Sequence, residues 1–118
     1  MKLALSVVFL ISVLSGCAVN SNVPPTHFYF GSYATTLYEY KKDPSEQTRN
    51  AHIAELRRII SYSGEHNLIT PPGIHAELGQ FLLKSGDQAA AINEFKAEQS
   101  LYPESEKLMS LMIDTAQG

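Results

Sequence analysis

An all-helical fold is what this sequence predicts. Apolar residues recur at i, i+3 or i+4, and i+7 through five successive segments after residue 27. Helix-breaking clusters separate those segments at short intervals: Asp43-Pro44, Pro71-Pro72-Gly73, Lys84-Ser85-Gly86-Asp87 and Pro103. No run sustains the period-two alternation of a half-buried strand. The organisation that follows is a leader over residues 1–16, a tether over 17–27 and one helical domain over 28–118.

The leader begins with Met1-Lys2 and continues through a mostly apolar stretch from Leu3 to Val13. A positive end, an apolar core of about ten residues and small residues before a cut are the marks of a secretory signal. The stretch is too short for a permanent span, which takes about twenty apolar residues. It closes on Leu14-Ser15-Gly16-Cys17, which resembles a bacterial lipobox, and Cys17 is the only cysteine. The resemblance implies cleavage before Cys17, a lipid thioether on its thiol and acylation of the new amino terminus. Thiolate chemistry explains the residue type, and several acyl chains hold a protein far better than one. In Gram-negative lipoproteins a residue other than Asp after the cysteine, here Ala18, goes with the outer membrane. The expected location is therefore that membrane's periplasmic face.

Cleavage would leave 102 residues with eight Lys/Arg against twelve Asp/Glu, a net charge of −4. That balance argues against a nucleic-acid partner. Residues 18–26 (Ala-Val-Asn-Ser-Asn-Val-Pro-Pro-Thr) are small, polar and proline-bearing, the composition of an extended tether. Nine such residues reach about 30 Å.

The helices follow in order. Phe30, Tyr33, Leu37 and Tyr40 make one stripe, so a helix is expected over 33–42, with Ser32 placed to cap it and Asp43-Pro44 to end it. Ser45-Glu46 opens a second amphipathic helix through Tyr62, with Ile53, Leu56 and Ile60 inward. Pro71-Pro72-Gly73 announces a third, whose stripe is Ile74, Leu78, Phe81 and Leu82. Gly86 suits a left-handed stop and Asp87 the next N-cap; the fourth helix runs to Leu101 with Ala91, Ile92 and Phe95 inward. After Pro103 a fifth helix is expected to bury Leu108, Leu111, Met112 and Thr115.

Within residues 72–105, Leu78-Gly79, Leu82, Gly86-Asp87, Ala91, Phe95 and Pro103 stand at intervals that resemble a tetratricopeptide repeat. Small residues at 79 and 91 let two antiparallel helices approach, and Leu82 and Phe95 fill the space beside them. Two positions depart from the pattern: His75 replaces the frequent tryptophan, and Glu98 replaces a small residue, which is expected to loosen packing at that edge. Helices one and two read as a degenerate copy, with Tyr33, Tyr40 and Ile53 at comparable places and Arg49 where a small residue is usual. The order of aromatic-rich helix, Lys-Asp-Pro-Ser, Pro-Pro-Gly, Ala-Glu-Leu-Gly and Leu-Tyr-Pro-Glu-Ser (Phe28 to Ser105) is similar to a family of small uncharacterised proteobacterial lipoproteins. Genes of that family tend to lie beside a lipoprotein resembling the curli secretion channel. The resemblance implies an envelope complex and a channel-forming lipoprotein as partner; it carries no catalytic residue across.

Chemistry-bearing residues are sparse. His27, His52, His66 and His75 show no metal-ligand spacing and read as solvated or capping histidines, with His52 and Glu55 on one helix face. Glu94, Glu98, Glu104 and Glu106 read as a solvated helix surface. No serine sits in a nucleophile elbow and no glycine loop could cradle phosphate. A non-enzymatic protein without cofactor or metal is expected. Six of the ten aromatics outside the leader fall between Phe28 and Tyr40. Tyr29, Tyr33, Tyr38 and Tyr40 cannot all face one core, which leaves them as interface anchors, sugar-stacking rings or core filling. In the repeat, Ala76, Gln80, Leu83 and Lys84 are expected to line a concave groove that takes a peptide or a partner helix. Lys84 is read either as a partner for a peptide carboxylate or as a dipole-favoured lysine at a helix end. The function expected is envelope protein interaction or assembly; the alternative is peptidoglycan or glycan binding.

Overall fold

The computed structural model describes residues 27–118, which form five α-helices and one 3₁₀ turn: α1 (Tyr33–Lys42), α2 (Glu46–Glu65), α3 (Ile74–Lys84), α4 (Gln88–Leu101), the turn at Pro103–Ser105, and α5 (Glu106–Gln117). No strand occurs among the described residues. Each helix packs on its chain neighbour, α1 on α2, α2 on α3, α3 on α4 and α4 on α5, the stacked-hairpin order of a tetratricopeptide-like array. The leader, the Leu14-Ser15-Gly16-Cys17 motif and most of the tether lie outside the described residues.

α1 begins and ends where the sequence places it, but Ser32 does not cap with its side chain. Instead its backbone N–H donates to Glu55 Oε1 at 2.8 Å, so α2 satisfies the start of α1. The turn into that contact uses Gly31 in the left-handed region (φ 47°). The left-handed backbone angle favours glycine there, and a Cβ would fall 2.2 Å from Glu55 Oε1, so any side chain would push the Glu55 carboxylate off its bond to Ser32.

Ser45 caps α2 in a reciprocal box: its Oγ accepts from Thr48 N–H at 3.1 Å, and Thr48 Oγ1 accepts from Ser45 N–H at 3.0 Å. The helix runs twenty residues, three beyond Tyr62. Its buried face centres on His52, Leu56, Ile59 and Ser63, with Ile53 and Ile60 only partly covered. The inward stripe is thus rotated from Ile53-Leu56-Ile60, because a polar His52 occupies a position that packing makes interior.

α3 buries Ile74, Leu78, Phe81 and Leu82 as its periodicity requires. Its first N–H groups are capped from another helix: Glu98 accepts from Gly73 N–H (2.7 Å, Oε1) and Ala76 N–H (3.4 Å, Oε2). Glu98 is 3% exposed, so the expectation of a loosened edge is wrong. A carboxylate at a helix start satisfies orphan donors and the positive end of the dipole together. Gly86 (φ 86°) and Asp87, which accepts from Ala90 N–H, make the corner into α4. A Cβ on Gly79 would lie 2.5 Å from the Phe95 ring, which is the close approach the repeat pattern requires.

α5 departs from expectation in phase. Met109 and Ala116 are buried with Met112 and Ile113 beside them, whereas Leu108 and Leu111 are 58% and 61% exposed. Polar contacts from α4 fix this rotation: the Gln88 amide donates to the Ala116 carbonyl, and the Gln99 amide to Ser110 Oγ at 3.0 Å. The core runs through all four later helices: Leu56, Ile59, Ile74, Leu78, Phe81, Leu82, Ala91, Phe95, Met109 and Ala116.

Candidate functional site

α1 and α3, the first helices of consecutive hairpins, run side by side in the same direction. Tyr33 meets Glu77 near one end, and further along both helices Tyr40 meets Phe81, with ring centroids 5.5 Å apart. Between them lies a groove of about 370 Å³ lined by Leu37, Tyr40 and Lys41 from α1 and by Gly73, Ala76, Glu77, Gln80, Phe81 and Lys84 from the α3 side. Ala76, Gln80 and Lys84 recur every four residues and therefore share the groove face. Leu83 does not line it; half-buried, it packs against the core instead.

A polar network joins the groove wall to the interior. His52, fully buried on α2, places Nε2 2.7 Å from Glu77 Oε1 and Nδ1 2.7 Å from Thr36 Oγ1. The Tyr33 hydroxyl donates to Glu77 Oε2 at 2.6 Å. A carboxylate only accepts, so His52 Nε2 carries the proton toward Glu77. With the ring neutral, Nδ1 accepts from Thr36; with the ring charged, Nδ1 donates, and the Thr36 hydroxyl can turn to the Tyr33 carbonyl, 3.2 Å away. Burial, the hydrogen bond to Glu77 and the charge of Glu77 push the Tyr33 hydroxyl up to about 12. Three helices are thereby tied through one carboxylate.

The other aromatic residues separate by role. Tyr29 stacks on Tyr62 at 3.8 Å, Tyr62 stacks on His66 at 3.8 Å, and the Arg58 guanidinium lies 5.4 Å from the Tyr29 ring centre. Arg58 also donates twice to Glu55, at 3.0 and 3.2 Å. Burial alone would raise the Glu55 carboxyl; the bonds from Arg58 and Ser32 outweigh it and hold its pKa below the ordinary value. The residues leading into α1 are thus clamped onto α2. Tyr38, by contrast, is 60% exposed, with Lys42 Nζ 5.9 Å from its ring centre.

Two histidine expectations need correction. His52 and His75 are neither solvated nor capping: both are buried, and His75 Nδ1 lies 2.6 Å from Glu94 Oε2. Only His66, whose Nδ1 lies 2.9 Å from the Tyr62 carbonyl, sits as a helix-end residue. Glu98 is likewise interior and not part of a solvated surface, Glu94 is half-buried against His75, and Glu104 and Glu106 are exposed as expected. Sequence reasoning missed Glu77, since an acid in a helix's first turn is ordinary. The available signal was His52, which falls at i−4 and i−7 from Leu56 and Ile59.

A second hollow of about 550 Å³ lies between α2 (Asn50, Ile53, Ala54, Arg57) and Leu82, Ser85 and Asp87. Among the described residues no group of three or more His, Cys, Asp or Glu side chains is arranged to hold a metal ion, and no helix is long and apolar enough to cross a membrane. Neither curated proteins nor solved structures yielded a match to the chain. The family described as a domain of unknown function (DUF4810) matches residues 27–112, nearly the whole helical domain, and the chain belongs to that family.

Proposed function

We propose that this protein is a non-enzymatic interaction or assembly factor of the cell envelope, anchored by lipid on Cys17 at the periplasmic face of the outer membrane. Its groove between α1 and α3 captures a segment of another envelope protein, for which a channel-forming lipoprotein is the candidate. The observation that carries the reading is the groove itself, whose lining mixes apolar side chains (Leu37, Ala76, Phe81) with polar ones (Lys41, Gln80, Lys84) and includes Glu77, the carboxylate that ties three helices together. Tethering supports the mechanism, because confinement to a thin layer raises the effective concentration for membrane-bound partners.

The test is site-specific photocrosslinking in intact cells. A benzoylphenylalanine at Gln80, exposed in the groove, should give one discrete adduct that the same probe at exposed Asn93 on α4 does not. Equal smears from both positions, or abundant porins alone, would sink the reading.

Glycan binding is the rival. It needs free ring faces, and Tyr29 has its ring engaged by Tyr62 and Arg58. Tyr38 and Phe30, exposed by 60% and 48%, keep the idea testable by sedimentation with purified cell wall. Retention that Tyr38→Ala weakens would favour it; no retention would remove it.

A further inference from the structure

We infer that two copies of this chain associate through their α5 helices, packed antiparallel about a two-fold axis. The contact is separate from the α1–α3 groove and does not depend on it. α5 carries two apolar faces. Met109, Met112, Ile113 and Ala116 turn inward against the core, while Leu108 and Leu111 stand 58% and 61% exposed. Those leucines are i, i+3 neighbours, so with exposed Thr115 they form one outward stripe along the helix. Among the described residues α5 packs on α4 and the turn before it, and no helix covers that stripe.

Charge identifies the occupant as a second copy. In heptad terms Leu108, Leu111 and Thr115 take positions a, d and a, which puts Lys107 and Asp114 both at g, on one flank of the stripe. Both are exposed, and neither is ion-paired among the described residues. They cannot serve each other, because seven residues along a helix span about 10.5 Å. Turning a second α5 end for end lays like flanks together, so g faces g. With Leu108 of each copy against Leu111 of the other, Lys107 of each comes beside Asp114 of the other, since side chains lean toward the helix N-terminus. One register thus covers all four leucines and closes two ion pairs. A parallel pair sets g against e, where Lys107 and Asp114 would meet only Ser105 or Met112. Antiparallel packing is also how α3 meets α4 within the chain, with Gly73 beside Glu98 and His75 beside Glu94. A contact made by one helix of twelve residues, about 18 Å long, belongs at the small, weak end of interfaces.

The experiment places a benzoylphenylalanine at Thr115, on the stripe beside the leucines, and irradiates the purified full chain. Concentrations run up to about 1 mM, a range that reaches weak self-association. An adduct of twice the chain mass should form and rise with concentration. Leu108→Glu with Leu111→Glu should abolish it and keep the helical circular dichroism of the parent, because both side chains are exposed. Lys107→Asp should cut the adduct about fivefold, as the loss of two largely exposed ion pairs allows. Adding Asp114→Lys to that variant should restore it. The two positions are too far apart to pair within one helix, so restoration reports contact between copies. No self-adduct at any concentration, a self-adduct that survives both glutamates, one that Lys107→Asp leaves unchanged, or no rescue by the swap would overturn the inference. The same probe in intact cells should give the same doubled mass; an adduct of another mass alone would assign the face to a different protein and overturn it too. The Gln80 probe reads the groove separately.

Discussion

His52 Nε2 and Glu77 Oε1 lie 2.7 Å apart across the contact of α2 with α3, with the histidine fully buried and the carboxylate at the groove wall. This pair joins the packing of the domain to the shape of its candidate binding surface. Truncating either partner leaves the other as a sequestered polar group with fewer bonds.

His52→Ala should therefore destabilise the domain by about 2–4 kcal/mol, combining a cavity with unpaired Thr36 and Glu77. Urea unfolding followed by circular dichroism reads this as a lower midpoint at unchanged slope. A loss under about 0.5 kcal/mol would mean that the network contributes nothing.

Stability should also fall as pH rises from 10 to 12. Tyr33 keeps its proton to about 12 when folded, against 10.0 for the free side chain. In that window the folded state binds more protons than the unfolded one, so the contribution is complete below pH 10 and lost through 12. Tyr102, raised by burial and by the charges of Glu98 and Glu104, adds in the same direction. Tyr33→Phe should flatten the slope in part, and an unchanged slope would contradict the assignment.

Glu98→Ala restores the small residue usual in the repeat, yet it should destabilise by about 1–2 kcal/mol. It removes the cap on Gly73 and Ala76 N–H. Hydrogen exchange should show faster amides in the first turn of α3 before any effect on α5.

The two faces of α5 give opposite expectations. Leu108→Ser and Leu111→Ser should change stability by no more than about 0.5 kcal/mol, as exposed positions do. Met109→Ala should cost about 2–3 kcal/mol. Equal losses at 108 and 109 would place the helix in the other phase.

Cys17→Ser should leave the domain folded and move it from the membrane pellet to the soluble periplasmic fraction. If it stays in the pellet, the lipid anchor is not what holds it there.

Helix boundaries were legible because caps and breakers act locally. Asp43-Pro44, Ser45, Gly86, Asp87 and Pro103 do their work within a few residues, and α1, α3 and α4 end close to where the breakers among them place them. The small pair Gly79 and Ala91 with Phe95 was readable for a related reason: close helix crossing demands small residues at fixed spacing. Polar interiors were not readable. His52, His75 and Glu98 look like surface residues until a partner from a distant helix meets them.

By itself, then, the sequence determined an all-helical hairpin domain, its turns, the apolar stripe of α3 and the candidate groove positions Ala76, Gln80 and Lys84. Only the tertiary structure decided which face of α5 is buried, why Glu98 is interior and how Tyr33, Thr36, His52 and Glu77 converge. Periodicity reports neighbours three or four residues apart along one helix. Contacts separated by 16 to 44 residues depend on how helices rotate against one another, and no local pattern records that rotation.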